Sequence, residues 1–232
     1  MALCLVGSEM CIRDRLKGLK MIDLYTWHTP NGRKVSIMLE EIGIPYEVHS
    51  INIAKDEQFQ PHFLNICPNN KIPAIVDRSN NNYALFESGA ILIYLAEKTG
   101  KLLNSNNKEE YYRTLEWLMF QMANVGPMFG QVHHFVKYNK GKSEYSETRY
   151  SKEAKRLYGV MDKKLSSSQF IAGDNYSIAD ISIWPWTARF DWQEINLNEF
   201  PNVTRWYKEM AERPAVQKGW LVPQNDQVIP HP

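Results

Sequence analysis

Asn65-Ile66-Cys67-Pro68-Asn69-Asn70-Lys71-Ile72-Pro73-Ala74-Ile75-Val76-Asp77 is followed, one polar turn and one short segment later, by Phe86-Glu87-Ser88-Gly89-Ala90-Ile91. Ala74-Ile75-Val76 is an apolar run of strand length. Pro73 cannot donate to a sheet ladder, so it belongs at the first residue of that strand or on an edge. An X-Pro bond lowers the cost of the cis form to about 0.5–1 kcal/mol. A cis Ile72–Pro73 bond would turn the N–H and C=O of Ile72 outward, where a peptide-like ligand can pair with them as an added strand. Residues 78–82 read as a turn, Tyr83-Ala84-Leu85-Phe86 as the next strand, and a helix is expected from about Ser88. A helix start offers unpaired N–H groups and the positive end of its dipole, both suited to a carboxylate. Glu87 beside it suits an ammonium. Together these elements predict a receptor for a small zwitterionic peptide.

Working outward toward the N-terminus, Ile22-Asp23-Leu24-Tyr25 alternates as a short strand. Thr29 caps a helix with Pro30 at its first position. Val35, Met38, Leu39 and Ile42 define one apolar face of that helix, and Gly43 with Pro45 ends it. Tyr46-Glu47-Val48 is a second strand, and residues 56–65 form a polar segment over the site. The predicted order is βαβαββα, the thioredoxin-like arrangement, with its first two strands parallel. Gly100 closes the last helix of this half.

Toward the C-terminus, residues 101–108 are polar and turn-rich, and a linker is expected there. Everything beyond reads as helix. Tyr112, Leu115, Met119 and Met122 share one face, and Gly126-Pro127 is expected to kink or break that helix. Tyr150, Ala154, Leu157, Tyr158, Met161 and Leu165 mark another. Ser177-Ile178-Ala179-Asp180 is a capping box with Asp in the Glu position, ahead of an apolar helix over 181–188. A last helix is expected over about 203–212, ending at Arg213-Pro214. The expected division is a leader at 1–20, an α/β domain at 21–100, a linker at 101–108 and an all-helical C-terminal domain with a tail at 109–232. The leader reads unlike the rest: Ser8 to Arg15 resembles translated adapter sequence, and Met21 is a second candidate start. It is expected to be non-native or disordered.

Lys+Arg 27 against Asp+Glu 26 leaves a net charge of +1, which gives no electrostatic case for nucleic acid or a membrane surface. No apolar run approaches the roughly 18 residues of a membrane span. The three cysteines, Cys4, Cys11 and Cys67, have no metal or disulfide-framework spacing, which points to a reducing compartment, the cytoplasm. No metal is expected. His133-His134 is a poor ligand pair, because neighbours on a helix point about 100° apart. They are read as pocket wall or surface.

The Ile72-Pro73 and Glu87-Ser88 pairs, at this separation, resemble the glutathione site of the cytosolic glutathione transferase superfamily. In that family a cis-proline follows the residue whose backbone pairs with the cysteine of glutathione, and a Glu/Gln-Ser pair holds the γ-glutamyl end. The resemblance covers about residues 21–222. Thr29-Pro30-Asn31-Gly32, the run from Phe86 to Ile91, and Gly126-Pro127 with His133-His134-Phe135 are most similar to the bacterial Nu class. Proteins of that class resemble glutathione-dependent disulfide-bond oxidoreductases. The resemblance implies that Thr29 and Asn31 face the thiol, although helix capping alone accounts for the same residue types. It implies that Gln58 lies toward the glycine end, that Lys71 also faces that carboxylate, and that Arg149 reaches a glutathione carboxylate across a homodimer.

Tyr25, a rival hydroxyl at the end of the first strand, is read as core. Cys67 is read as a small packed side chain, since there is no Cys-x-x-Cys and no cysteine near Thr29. The expected activity is therefore reduction of small disulfides by glutathione thiolate, with glutathione as co-substrate and weak peroxidase activity besides. Two alternatives stand beside it. One is conjugation of glutathione to an electrophile held near Met119, Phe120, Met128 and Phe129. The other is a binding module without turnover.

Overall fold

β1 (Ile22–Thr26) is buried along most of its length and lies inside a four-stranded sheet with β2 (Tyr46–Ser50), β3 (Ala74–Asp77) and β4 (Tyr83–Phe86), in the order β2-β1-β3-β4. The structure is a computed structural model and describes residues 21–232. The leader expected at 1–20, with Cys4 and Cys11, lies outside the described residues. β1 and β2 are parallel, with Leu24 opposite Val48. The β1–β3 and β3–β4 pairs are antiparallel, with Leu24 opposite Ile75 and Ala74 opposite Phe86. A parallel pair needs a crossover, and α1 (Pro30–Ile42) supplies it. Two 3₁₀ turns and the short α2 (Pro61–Leu64) occupy the polar segment before β3. α3 (Ser88–Thr99) completes the βαβαββα order.

The ends of α1 follow from its sequence. Thr29 is extended (φ −103°, ψ 163°) and its Oγ1 accepts from the Gly32 N–H at 3.2 Å; Pro30 opens the first turn. Gly43, at φ +73°, returns its N–H to the Leu39 carbonyl. The middle of α1 departs from the expected single face. Arg33, Lys34, Ser36 and Ile37 are buried together with Val35, Met38, Leu39 and Ile42. The reason is packing: α3, α7 (Ile178–Thr187) and α9 (Pro214–Trp220) all press on α1 as well as the sheet. Gly219 lets α9 approach so closely that a Cβ there would come within 2.6 Å of the Ile37 backbone.

The second half is helical: α4 (Lys108–Phe120), α5 (Gly126–Val132), α6 (Glu144–Leu165), α7, α8 (Pro201–Ala211) and α9. Three expectations are corrected here. Gly126-Pro127 does not break the helix. A π segment, Gln121–Val125, precedes it, and the Gly126 N–H bonds the Gln121 carbonyl. The wider turn absorbs the proline, whose missing N–H falls at the start of α5. The face drawn through Tyr112 and Met119 points outward, since these are 65% and 48% exposed; Thr114 and Leu118 are buried instead. Pro214 is not the end of the last helix but the first residue of α9. The Ser177–Asp180 capping box is present, and α6 buries Ala154, Leu157, Tyr158, Met161 and Leu165 as expected. One apolar cluster runs from Ile22 and Leu24 through α1 to Trp184, Trp206 and Trp220, so the two halves share a core. Among the described residues no helix is long and apolar enough to cross a membrane.

Candidate active site

Three neighbouring cavities share lining residues and form one trough at the C-terminal end of β1 and the N-terminal end of the antiparallel β3. The inner cavity, about 200 Å³, lies between Asn31, Asn69, Lys71, Ile72, Pro73, Phe86, Glu87 and Ser88. The middle one, about 320 Å³, shares Asn31, Lys71 and Ile72 with it and adds Thr29, Pro30, Gln58 and Trp186. The outer one, about 1130 Å³, shares Thr29, Pro30, Lys71 and Trp186 with the middle one and widens between Trp27, His133, His134, Tyr138, Arg189 and Trp192.

The inner cavity is built by two backbone devices. The Ile72–Pro73 bond is cis, at the residue that precedes β3. Glu87 sits at φ +71°, ψ 111°, an uncommon conformation for a side-chain-bearing residue. It turns the chain from β4 directly into α3, so the unpaired N–H groups of the α3 start face the cavity end lined by Ser88. Ser88 is only 6% exposed, and its hydroxyl is held from behind by Lys34, whose Nζ lies 3.3 Å from Ser88 Oγ and 2.8 Å from Gln121 Oε1. Burial drives the Lys34 ammonium well below its ordinary proton affinity, and Glu87 acts weakly in the opposite direction. Sequence reasoning missed this lysine. An amphipathic pattern assigns charged residues to solvent, and nothing in the single apolar face read for this helix marks Lys34 as an exception.

At the middle cavity, Asn31 Oδ1 accepts from the Trp186 indole at 2.9 Å. That bond fixes the amide plane and leaves Nδ2 as the donor. Thr29 Oγ1 accepts the Gly32 N–H, which leaves its hydroxyl proton free to donate. Gly32 is required: a Cβ there would lie 2.1 Å from the Trp27 carbonyl oxygen. Gln58 Oε1 is buried without a hydrogen-bond partner, and Gln58 lines this cavity. An orphaned buried acceptor of this kind suits a ligand N–H.

Residues 21–97 match the glutathione S-transferase N-terminal domain and residues 122–214 the glutathione S-transferase C-terminal domain. The chain belongs to the glutathione transferase family. Its relatives include the disulfide-bond oxidoreductase YfcG of Escherichia coli (strain K12), 46% identical over 88% of this chain and 96% of that protein. A glutathione transferase family member from Pseudomonas fluorescens pf-5, solved with two glutathione bound, is 47% identical. It superposes with a TM-score of 0.84 over 88% of this chain and 94% of that one. A glutathione transferase from Pseudomonas putida, solved with one glutathione disulfide per subunit, is 43% identical with a TM-score of 0.83, over 94% and 99% of the two chains.

In this glutathione transferase the trough brings together Thr29, Asn31, Gln58, Lys71, Ile72, Pro73, Glu87 and Ser88. Arg149 is not among them. It lines a separate groove of about 890 Å³ with Met128, Tyr145 and Arg156, and that groove shares no lining residue with the trough. The electrophile pocket expected near Met119, Phe120, Met128 and Phe129 is also corrected. Phe129 is fully buried and stacked on Tyr158, Met119 is exposed, and Met128 faces the Arg149 groove. α5 and the turn after it present Gly130, His133 and His134 to the outer cavity instead. His133 is largely buried, and desolvation, with Arg189 and Lys137 nearby, lowers it to about 4, so it is neutral at physiological pH.

Tyr25 stacks on His49 at 4.6 Å and packs against the small cluster of Ile51, Phe63, Cys67 and Ala74. Cys67 is fully buried, and its thiol donates to the Lys71 carbonyl at 3.2 Å. Asp23, Glu47 and His49 lie close enough together to suggest a metal site. The Arg78 guanidinium, however, donates to both carboxylates, so the cation of that cluster is internal.

Proposed function

We propose that this protein is a cytoplasmic, homodimeric, Nu-class glutathione-dependent disulfide reductase. When bound, glutathione supplies the reacting sulfur: two glutathione thiols and one disulfide give glutathione disulfide and two product thiols, so protons and electrons balance without a protein cysteine. The inner cavity suits the γ-glutamyl end, with Ser88 and the α3 N–H groups for its carboxylate and Glu87 for its ammonium. The Ile72 backbone suits the cysteinyl peptide group, and Gln58 and Lys71 suit the glycyl end. Thr29 and Asn31 then donate toward the sulfur at the N-terminus of α1, where a thiolate is favoured over a thiol of ordinary pKa near 8.5.

One observation carries this reading. Two polar donors, Thr29 and Asn31, line the middle cavity, while Cys67 is fully buried with its thiol already bonded to Lys71. The names of the relatives, a disulfide-bond oxidoreductase and transferases solved with glutathione or its disulfide, support it.

The test is turnover of bis(2-hydroxyethyl) disulfide against an aryl halide, with glutathione in both assays. The disulfide is expected to react faster. Dominant aryl halide turnover favours a conjugating transferase, for which the aromatic walls of the outer cavity also speak. Cys67→Ser in a chain begun at Met21 leaves no protein thiol and is expected to retain most of the reductase activity. Thr29→Ala and Asn31→Ala should each slow the reaction by less than the roughly 10²–10³ of a lone oxyanion donor, because each leaves the other in place. The double variant should lose more. An inactive cysteine-free protein, with Thr29 and Asn31 variants behaving as wild type, makes Cys67 the nucleophile.

A further inference from the structure

Trp186 walls both the middle and the outer cavity and is 8% exposed. Its indole N–H reaches 155 residues back along the chain to Asn31 Oδ1. Every residue of its helix, α7, is buried. The residue is also held from the far side. The Trp186 carbonyl accepts from Gln193 Nε2 at 3.0 Å, and Gln193 Oε1 accepts from the Tyr158 hydroxyl at 2.6 Å. Gln193 and Tyr158 are themselves buried. The His133 ring stacks on the Trp186 ring with centres 5.4 Å apart. Trp186 is therefore fixed within the helical half and carries a donor across to the first turn of α1.

A buried indole ordinarily finds a partner, and satisfying its N–H is the plain reason for such a bond. Two other indoles of this core do so with backbone: Trp184 donates to the Tyr207 carbonyl and Trp220 to the Gln227 carbonyl. A backbone carbonyl would serve Trp186 equally well. It takes a side-chain amide in the candidate site instead, and that choice has a direction. An indole N–H only donates, so Asn31 must turn its oxygen toward Trp186. Among the described residues Asn31 Nδ2 then makes no hydrogen bond of its own. Asn31 lines both the inner and the middle cavity. The two ends of an amide are alike in size and opposite in sign. With its oxygen toward a thiolate, the same side chain would repel the charge that its nitrogen attracts.

We infer that Trp186 is a positioning residue of the reaction: by claiming Asn31 Oδ1 from the helical half, it holds the amide with Nδ2 toward the glutathione sulfur. The inference rests on the proposed function in taking Asn31 as a donor to that sulfur. It adds the residue that sets the sign of the Asn31 contact. In this role Trp186 acts through Asn31 and not on the sulfur. Gln193, Tyr158 and His133 keep the indole in place without reaching Asn31.

The experiment is ultraviolet titration of the thiolate of glutathione bound to the full chain. No disulfide is present, because Trp186 also walls the outer cavity. Asn31→Ala should make the bound thiol about tenfold less acidic. Trp186→Phe removes the N–H and keeps an aromatic ring. It should weaken the acid by a comparable factor, while S-methylglutathione, which has no thiol to ionise, binds as it does to wild type. Adding Trp186→Phe to Asn31→Ala should weaken the acid no further, because the two act through one contact. Asn31→Asp keeps an acceptor for the indole and turns a second oxygen to the sulfur, so it should weaken the acid beyond Asn31→Ala. If Trp186→Phe does not fold, the indole N–H signals of a heteronuclear NMR spectrum decide. Asn31→Ala should move one of them upfield and speed its exchange with solvent, and Asn31→Asp should leave that signal hydrogen-bonded. Signals that do not move overturn the inference. So does an unchanged thiol in Trp186→Phe beside a weakened one in Asn31→Ala, and the proposed function then still stands. Additive effects in the double variant, or S-methylglutathione bound more weakly by Trp186→Phe, make Trp186 a structural residue and overturn it too. An unchanged thiol in Asn31→Ala counts against the proposed role of Asn31 itself and takes the inference with it.

Discussion

Lys34 is enclosed by α1, α3 and the π segment, and among the described residues its ammonium hydrogen-bonds a hydroxyl and an amide oxygen and no carboxylate. A buried ammonium without a counter-ion opposes folding. Its position behind Ser88 shows what it gains in return: Nζ holds Ser88 Oγ in place while the hydroxyl donates only weakly to Met122 Sδ at 3.9 Å, a bond that a carboxylate readily displaces, and Nζ adds positive field where the γ-glutamyl carboxylate is proposed to bind. Binding and stability should therefore move in opposite directions. Ser88→Ala should weaken glutathione binding by about 1–3 kcal/mol, because the hydroxyl donor to the carboxylate is lost, and Lys34→Met should weaken it by less, because the hydroxyl stays while its positive backing is removed. Lys34→Met with Gln121→Leu, which also removes the amide left unpaired, should melt no lower than wild type. Titration calorimetry and thermal melts read the two quantities. Unchanged affinity in Lys34→Met would remove the lysine from the site, and a large loss of stability in the double variant would make it a structural residue.

The elements show where sequence patterns carry information and where they do not. The ends of α1 were legible because Thr29-Pro30 and Gly43 act through local backbone chemistry. The burial of Arg33 was not, because it depends on α9, whose first residue, Pro214, reads equally well as a helix end or a helix start, and that of Lys34 was not, because it depends on Ser88 of α3 and Gln121 of the π segment, far along the chain. The π segment had no signature either. Gly126-Pro127 reads as a breaker, and only the packed structure shows the turn widening to keep the helix running. In the site, the backbone devices at Ile72-Pro73 and Glu87-Ser88 were legible, while the outer wall of Trp186, Arg189 and Trp192 was not. Those residues lie far along the chain from Thr29 and meet it only through tertiary packing.

The capping box shows how much one legible residue can hold. Asp180 accepts from the Ser177 N–H and hydroxyl at 3.0 and 3.1 Å, and from the Ile171 N–H and the Trp206 indole at 2.9 Å each. Full burial nevertheless pushes its pKa up to about 6, with those four donors pulling the other way. The folded chain thus holds this proton more tightly than the unfolded chain, whose value is about 3.8. The group's contribution to stability is full below about pH 4 and is lost as the pH rises through 6, by about 3 kcal/mol in total. Asp180→Asn cannot titrate and turns an amide toward donors. It should destabilise throughout, but its deficit against wild type in urea unfolding should shrink between pH 4.5 and pH 7. A deficit that stays constant or grows over that range would refute the raised pKa.

At the scale of the whole molecule the unexplained residue is Arg149. It lies on α6 in a groove that shares nothing with the trough of its own chain. Tyr145 in the same groove is 76% exposed, and Tyr112 and Met119 stand outward on α4. Exposed aromatic and thioether side chains with arginine are the composition of an interface core rather than of a solvated face. A two-fold dimer would cover them, and Arg149 would reach a glutathione carboxylate only in the partner's trough. Sedimentation is expected to show a dimer at micromolar concentration; a stable monomer would end the argument. The sharper test mixes Arg149→Ala and Ser88→Ala subunits after each has been shown to bind glutathione poorly alone. If Arg149 acts across the interface, each mixed dimer has one site with both residues intact and one with neither. Random reassortment then restores about a quarter of wild-type activity. If it acts within its own chain, every site carries one defect and mixing restores nothing.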